Sequence, residues 1–136
     1  MAFFDWKDGY SVGIASIDTQ HKKLISLIND IAESITGGQE GLITGNLLNE
    51  LEQYSIYHFS QEEILFQEYG YGKAKEHEEG HEAYIRGIQS LRTSWSSSDN
   101  AATIPTIAYL KKWLENHFQK DDMDYAGFIR DSDKPI

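Results

Sequence analysis

In residues 74–91, Ala74, His77, His81, Tyr84, Ile88 and Leu91 follow one another at steps of three and four, the spacing of one helix face. A strand, whose faces repeat every second residue, cannot use that row. The row also places two histidines where apolar side chains belong. Leu24, Ile25, Ile28, Ile31, Ala32 and Ile35 form a similar stripe earlier in the chain. Breaks at Gly37 and Gly38 with Gly41 and Gly45, at YGYG (69–72) and at SWSSSDN (94–100) leave four helical segments, 18–36, 40–67, 73–92 and 103–120. Helices of these lengths measure roughly 25 to 40 Å. With short links they are expected to pack as an all-α, up-down-up-down antiparallel four-helix bundle with an extended N-terminal arm. Asp18 or Ser16 is expected to cap the first helix, and Thr103 to open the fourth just before Pro105.

Composition narrows the function. The 136 residues are 40% hydrophobic, enough for one sizeable core, so 1–136 is read as a single domain. Twelve basic against 22 acidic side chains give a net charge of -10, and no basic patch is interleaved with aromatics. Neither nucleic acid nor an acidic membrane surface is an expected partner. The absence of cysteine excludes thiolate metal sites and disulfides and suits a cytoplasmic protein. The N-terminal residues do not read as a signal peptide, and no apolar run approaches the roughly 18 residues of a membrane span.

All five histidines, His21, His58, His77, His81 and His117, fall on inward rows. One such residue is ordinarily a core histidine satisfied by a hydrogen bond; five together ask for another explanation. Glu62 lies one turn after His58 on the same row, and a buried carboxylate without a cation is costly. Asp121 and Asp122 follow His117, and by simple periodicity Asp121 faces inward. Glu63, about 100° round the helix from Glu62, is expected to be a solvated surface charge. When successive helices reverse direction, five imidazoles and two carboxylates meet at one end of the bundle. That set exceeds the four ligands of a tetrahedral zinc and is too nitrogen-rich for calcium or magnesium. A dinuclear transition-metal centre is implied.

HEEGH (77–81) also spells the H-E-x-x-H of zinc metalloproteases. Glu78, however, is rotated about 100° from His77 and is expected at the surface, facing solvent. A carboxylate-rich di-iron site would need two Glu-x-x-His motifs, and only Glu78 with His81 matches.

The residues resemble the bacterial hemerythrins. The resemblance rests on W-x5-V-G-x3-I-D-x-Q-H-x2-L (Trp6 to Leu24), H-F-x2-E-E (His58 to Glu63), H-x3-H (His77, His81) and W-L-x2-H with Phe118, Asp122 and Tyr125 following. It implies a four-helix bundle that binds dioxygen reversibly at a non-haem di-iron centre, for storage, transport or delivery, and not an enzyme. One iron would be held by His77, His81 and His117 and the other by His21 and His58. Glu62 and Asp122 would bridge them beside an oxo or hydroxo group, so the resemblance selects Asp122 over Asp121. Phe59, Trp113, Leu114 and Phe118 would line the oxygen pocket. Gly72, Gly80 and Phe118 stand where many relatives have proline, glutamate and isoleucine. Alternatives from other classes are oxygen or redox sensing through a separate partner, and peroxide or nitric oxide chemistry at the same irons. The oligomeric state is not legible, and a monomer is compatible with everything above.

Overall fold

The computed structural model describes residues 3–36, 41–96 and 103–131. The helices are α1 (Ala15–Thr36), α2 (Gly41–Tyr69), α3 (Ala74–Ser96) and α4 (Thr103–Asn116). The last runs through a π-helical turn, His117–Asp121, into α5 (Asp122–Arg130). The break expected at 37–38, residues 97–100 of the break expected at 94–100, and Glu40 at the expected start of the second helix lie outside the described residues; residues 94–96 are not a break but the last turn of α3. No strand occurs among the described ones.

Ile14, not Asp18 or Ser16, precedes the first helical residue, and its carbonyl accepts the Asp18 N–H at 2.9 Å. Asp18 reaches backward from the first turn instead. Its carboxylate accepts the Val12 N–H at 2.8 Å and the Ser11 hydroxyl, fastening the N-terminal arm to α1. The arm is tied again where Asn29 exchanges two 2.8 Å hydrogen bonds with the backbone of Phe4. α2 ends at Gly70, whose φ of +67° lets Tyr71 donate its N–H to the Phe66 carbonyl at 2.9 Å. A residue with a Cβ would be strained in that left-handed cap.

Neighbour contacts run α1 to α2, α2 to α3, α3 to α4 and α4 to α1, the circuit of an antiparallel four-helix bundle. The greatest difference from the sequence expectation is at the fourth helix, expected to stop at 120 and continuing to Arg130. Its extension, α5, buries Tyr125, Ala126 and Ile129 against Val12, Ile14, Ile17 and Phe66. A larger core, with Leu24, Ile28, Leu51, Ile88, Leu110 and Leu114, fills the rest of the bundle. Burying apolar surface at about 25 cal/mol per Å² holds these layers together. Polar side chains of α1, α2, α3 and the π-turn meet between the two cores.

Candidate metal centre

His21 enters from α1, His58 and Glu62 from α2, His77 and His81 from α3, His117 and Asp122 from the two ends of the π-turn. All seven are buried, with His21, His58, Glu62 and Asp122 at 0% exposure. Each helix delivers its residues at the same end because neighbouring helices run in opposite directions.

The π-turn selects the second carboxylate. A turn closed by i to i+5 bonds holds one residue more than an α-turn, so the fifth residue after His117 returns to its face. Asp122 is therefore fully buried, while the side chain of Asp121 is 58% exposed. The inward direction that periodicity gives Asp121 is thus corrected by the local loosening of the helix.

Both carboxylates span the cluster. Asp122 Oδ2 is 3.0 Å from His21 Nε2, and its Oδ1 is 3.0 Å from His77 Nε2 and 2.9 Å from His117 Nε2. Glu62 Oε1 is 3.3 Å from His58 Nε2 and 3.1 Å from His81 Nε2, while Oε2 lies 3.9 Å from His21 Nε2. Donor atoms form two groups within 4.8 Å of one another: Glu62, His77, His81 and His117, and His21, His58, Glu62 and Asp122. Glu62 belongs to both.

The outer nitrogens explain why the inner ones are free to bind. His58 Nδ1 faces Gln20 Oε1 at 2.7 Å, His81 Nδ1 faces Glu63 Oε2 at 3.1 Å and His117 Nδ1 faces Asp121 Oδ2 at 3.2 Å. Each partner is an acceptor, which assigns the proton to Nδ1 and turns the Nε2 lone pair inward. Tyr125 donates to Glu62 Oε2 at 2.6 Å. Burial pushes the Glu62 carboxyl up, but His58, His117 and His81 outweigh it and hold it well below the ordinary carboxylate range. Burial and Glu62 push Asp122 up in the same way, and His117 with His21 brings it below its ordinary value. For His81 burial prevails and favours the neutral ring. Two ionised carboxylates therefore sit in the interior, and among the described residues no lysine or arginine pairs with either. Burial pushes His117 down, but Asp122, Asp121 and Glu62 outweigh it and hold its pKa well above the ordinary value. A pair of cations would displace that inner proton, compensate both carboxylates and occupy the inward-facing atoms, so the residues present fit a dinuclear metal.

Apolar rings back the imidazoles. Phe59 stacks on His81 at 3.8 Å, Trp113 on His117 at 4.6 Å and Phe118 on His21 at 4.1 Å. Leu114 is fully buried in the same layer. Tyr10 of the arm meets Phe118 edge-on at 5.7 Å, which explains how an N-terminal segment steadies the far side of His21.

A family model described as the Hemerythrin HHE cation binding domain matches residues 12–129. The chain belongs to the hemerythrin family. It is 31% identical over 132 residues to a bacteriohemerythrin of Pseudomonas aeruginosa (strain UCBPP-PA14), covering 97% of this chain and 85% of the relative. A hemerythrin-like protein of Naegleria gruberi is 29% identical over 126 residues, 93% of each chain. A crystal structure of a hemerythrin single-site mutant shares the fold, with a TM-score of 0.84, 23% identity and coverage of 94% of this chain and 98% of that one.

In this hemerythrin Glu63 is not the solvated charge that its helical angle suggests. It lies where α2 and α3 meet and reaches His81. Glu78 does not join the cluster, yet it is half-buried, and burial together with the neighbouring Glu63 carboxylate raises its pKa. Gly80 leaves α3 unbroken, and a Cβ there would lie 3.8 Å from the Trp113 ring. The roles of Gln20, Asp121 and Tyr125 were not read from the sequence. Gln20 and Tyr125 were visible in the motifs, but a hydrogen bond to a ligand on another helix has no spacing rule to reveal it.

Proposed function

We propose that this chain binds dioxygen reversibly at a di-iron centre and serves oxygen storage, transport or delivery. The observation that carries the proposal is the pair of buried donor groups sharing Glu62. His77, His81 and His117 would hold one iron, His21 and His58 the other, and Glu62 and Asp122 would bridge them with an oxo or hydroxo group. When bound, two ferrous ions supply the electrons that hold dioxygen reversibly.

The protein's own groups fit that task. Gln20, Glu63 and Asp121 orient imidazoles, since hydrogen bonds to the outer nitrogen fix both tautomer and ring direction. Tyr125 keeps one oxygen of Glu62 in place. Phe59, Trp113, Leu114 and Phe118 would wall the pocket and keep out the water and protons that favour irreversible oxidation. Two divalent ions against two carboxylates leave the centre cationic, which disfavours the further electron loss that oxidation chemistry requires. Such a centre accordingly favours binding without turnover. The acidic, cysteine-free composition suits the cytoplasm, and none of the described helices is long and apolar enough to cross a membrane.

Metal analysis after anaerobic reconstitution tests the centre. Two irons per chain are expected, with Glu62→Gln and Asp122→Asn each reducing the content. A single zinc per chain, or a count unaffected by either substitution, would overturn the proposal.

A further inference from the structure

The outer imidazole nitrogens are not served alike on the two sides of the cluster. Beside His77, two histidines meet carboxylates: His81 Nδ1 faces Glu63 Oε2 at 3.1 Å and His117 Nδ1 faces Asp121 Oδ2 at 3.2 Å. On the other side His58 Nδ1 faces an uncharged amide, Gln20 Oε1, at 2.7 Å. The Nδ1 of His21 is buried and has no hydrogen-bond partner in the protein. Its ring lies instead against Phe118, stacked at 4.1 Å. Two carboxylates thus back one set of imidazoles, and a single neutral acceptor backs the other.

An acceptor with negative charge draws the Nδ1 proton toward itself, and the ring gains electron density at Nε2, the atom that would bind a metal. A neutral amide does so less, because hydrogen bonds to an ionised partner are about twice as strong. An imidazole without an acceptor gets no such help. Stronger donors favour the more highly charged of two oxidation states. The side chains of Glu63 and Asp121 are 32% and 58% exposed, so water screens their bare charge and the effect passes mainly through the hydrogen bond to the ring. Glu63, the less exposed, is the stronger of the two. Glu62 and Asp122 do not create the difference, since Glu62 reaches both His58 and His81, and Asp122 both His21 and His77.

We propose that Glu63 and Asp121, set against Gln20 and the unassisted His21, fix which iron gives up its electron first. The ion held by His77, His81 and His117 becomes ferric at the lower potential, and the ion held by His21 and His58 stays ferrous to a higher one. The proposal rests on the di-iron reading above and adds an electrical polarity to it. Each step takes one electron from one ferrous ion and passes it to an electrode or a chemical oxidant. The half-oxidised protein therefore carries its ferric ion in a defined place, on the side of Glu63 and Asp121.

Anaerobic spectroelectrochemistry of the iron-loaded protein tests this in wild type, Glu63→Gln, Asp121→Asn and Gln20→Glu. Each variant keeps an acceptor for its imidazole and the histidines at each iron, and changes only the acceptor's charge. Wild type is expected to lose its electrons in two separate steps, with a mixed-valence form between them detected by electron paramagnetic resonance. Glu63→Gln is expected to raise the lower step by about 59 mV, equivalent to a loss of about tenfold in preference for the ferric ion, and Asp121→Asn to raise it less. Gln20→Glu is expected to lower the upper step, closing the gap from the other side. A general loosening of the site would shift both steps the same way, so opposite signs on different steps separate tuning from damage. Three results would each overturn the proposal while leaving the proposed function standing: a wild type that loses both electrons in one step, a Glu63→Gln shift on the upper step or on neither, and a Gln20→Glu that leaves the upper step in place. A wild-type chain that takes up no pair of irons would overturn both readings.

Discussion

Gln20, Glu63 and Asp121 occupy a single kind of position, each accepting from the outer nitrogen of an inward-facing histidine. Groups placed this way typically change metal affinity by about 10 to 100-fold. Gln20→Leu is therefore expected to retain two irons at saturation but to surrender them to a competing chelator at about 10 to 100-fold lower concentration. Unchanged chelator competition would show that His58 needs no acceptor. Tyr10 offers a separate test by pH. Its hydroxyl donates to Glu115 at 3.0 Å, and burial together with that carboxylate raises its pKa from 10.0 to about 12. The folded state thus holds this proton through a range in which the unfolded chain releases it. The contribution is fully present below pH 10 and is lost as the pH rises toward about 12. Melting temperatures between those pH values should fall less steeply for Tyr10→Phe than for wild type; parallel curves would count against this account of Tyr10. Asp122 shows what single residues did not disclose. Helical spacing pointed to Asp121, and only the resemblance to a family selected its neighbour.

The reason lies at the scale of the element. The turn His117–Asp121 contains one more residue than an α-turn and brings Asp122, Tyr125 and Ile129 to the inner face together. Removing one exposed residue from that turn should leave a regular helix with the direction of α5 preserved. Deleting Lys120 is expected to keep the fold, with a melting temperature within a few degrees of wild type in circular dichroism. Deleting Glu115, one turn earlier in regular helix, should rotate everything after it by about 100° and prevent cooperative folding. Equal damage from the two deletions would contradict this reading of the π-turn. The four helices themselves were legible because apolar rows at steps of three and four survive any local detail. The extension from 120 to Arg130 was not, because a π-turn breaks the period on which such rows are recognised. Glu63 was misplaced for a related reason: an angle about one helix does not show where the neighbouring helix leaves an acceptor in reach.

At the scale of the whole molecule, the cluster lies between two apolar cores and joins three helices and the π-turn. This convergence was legible from sequence because alternating helix direction places the start of α1 and α3 beside the end of α2 and α4. The aromatic backing and the arm that supports Phe118 were not, since they depend on contacts between distant segments. Metal bound by such a cluster is absent from the unfolded chain and therefore stabilises the fold. At a free metal concentration of 1,000 times Kd the gain is about 4 kcal/mol. For a chain of 136 residues this corresponds to a rise in melting temperature on the order of 10 °C. Calorimetry with and without chelator should show that difference; coincident transitions would mean that the folded cluster has no preference for metal. The central claim, reversible dioxygen binding at two irons, is tested most directly by anaerobic oxygen titration of the diferrous protein. A visible charge-transfer band is expected that saturates at one dioxygen per two irons and disappears when oxygen is removed. A band that fails to reverse, or continuing oxygen consumption without saturation, would contradict it.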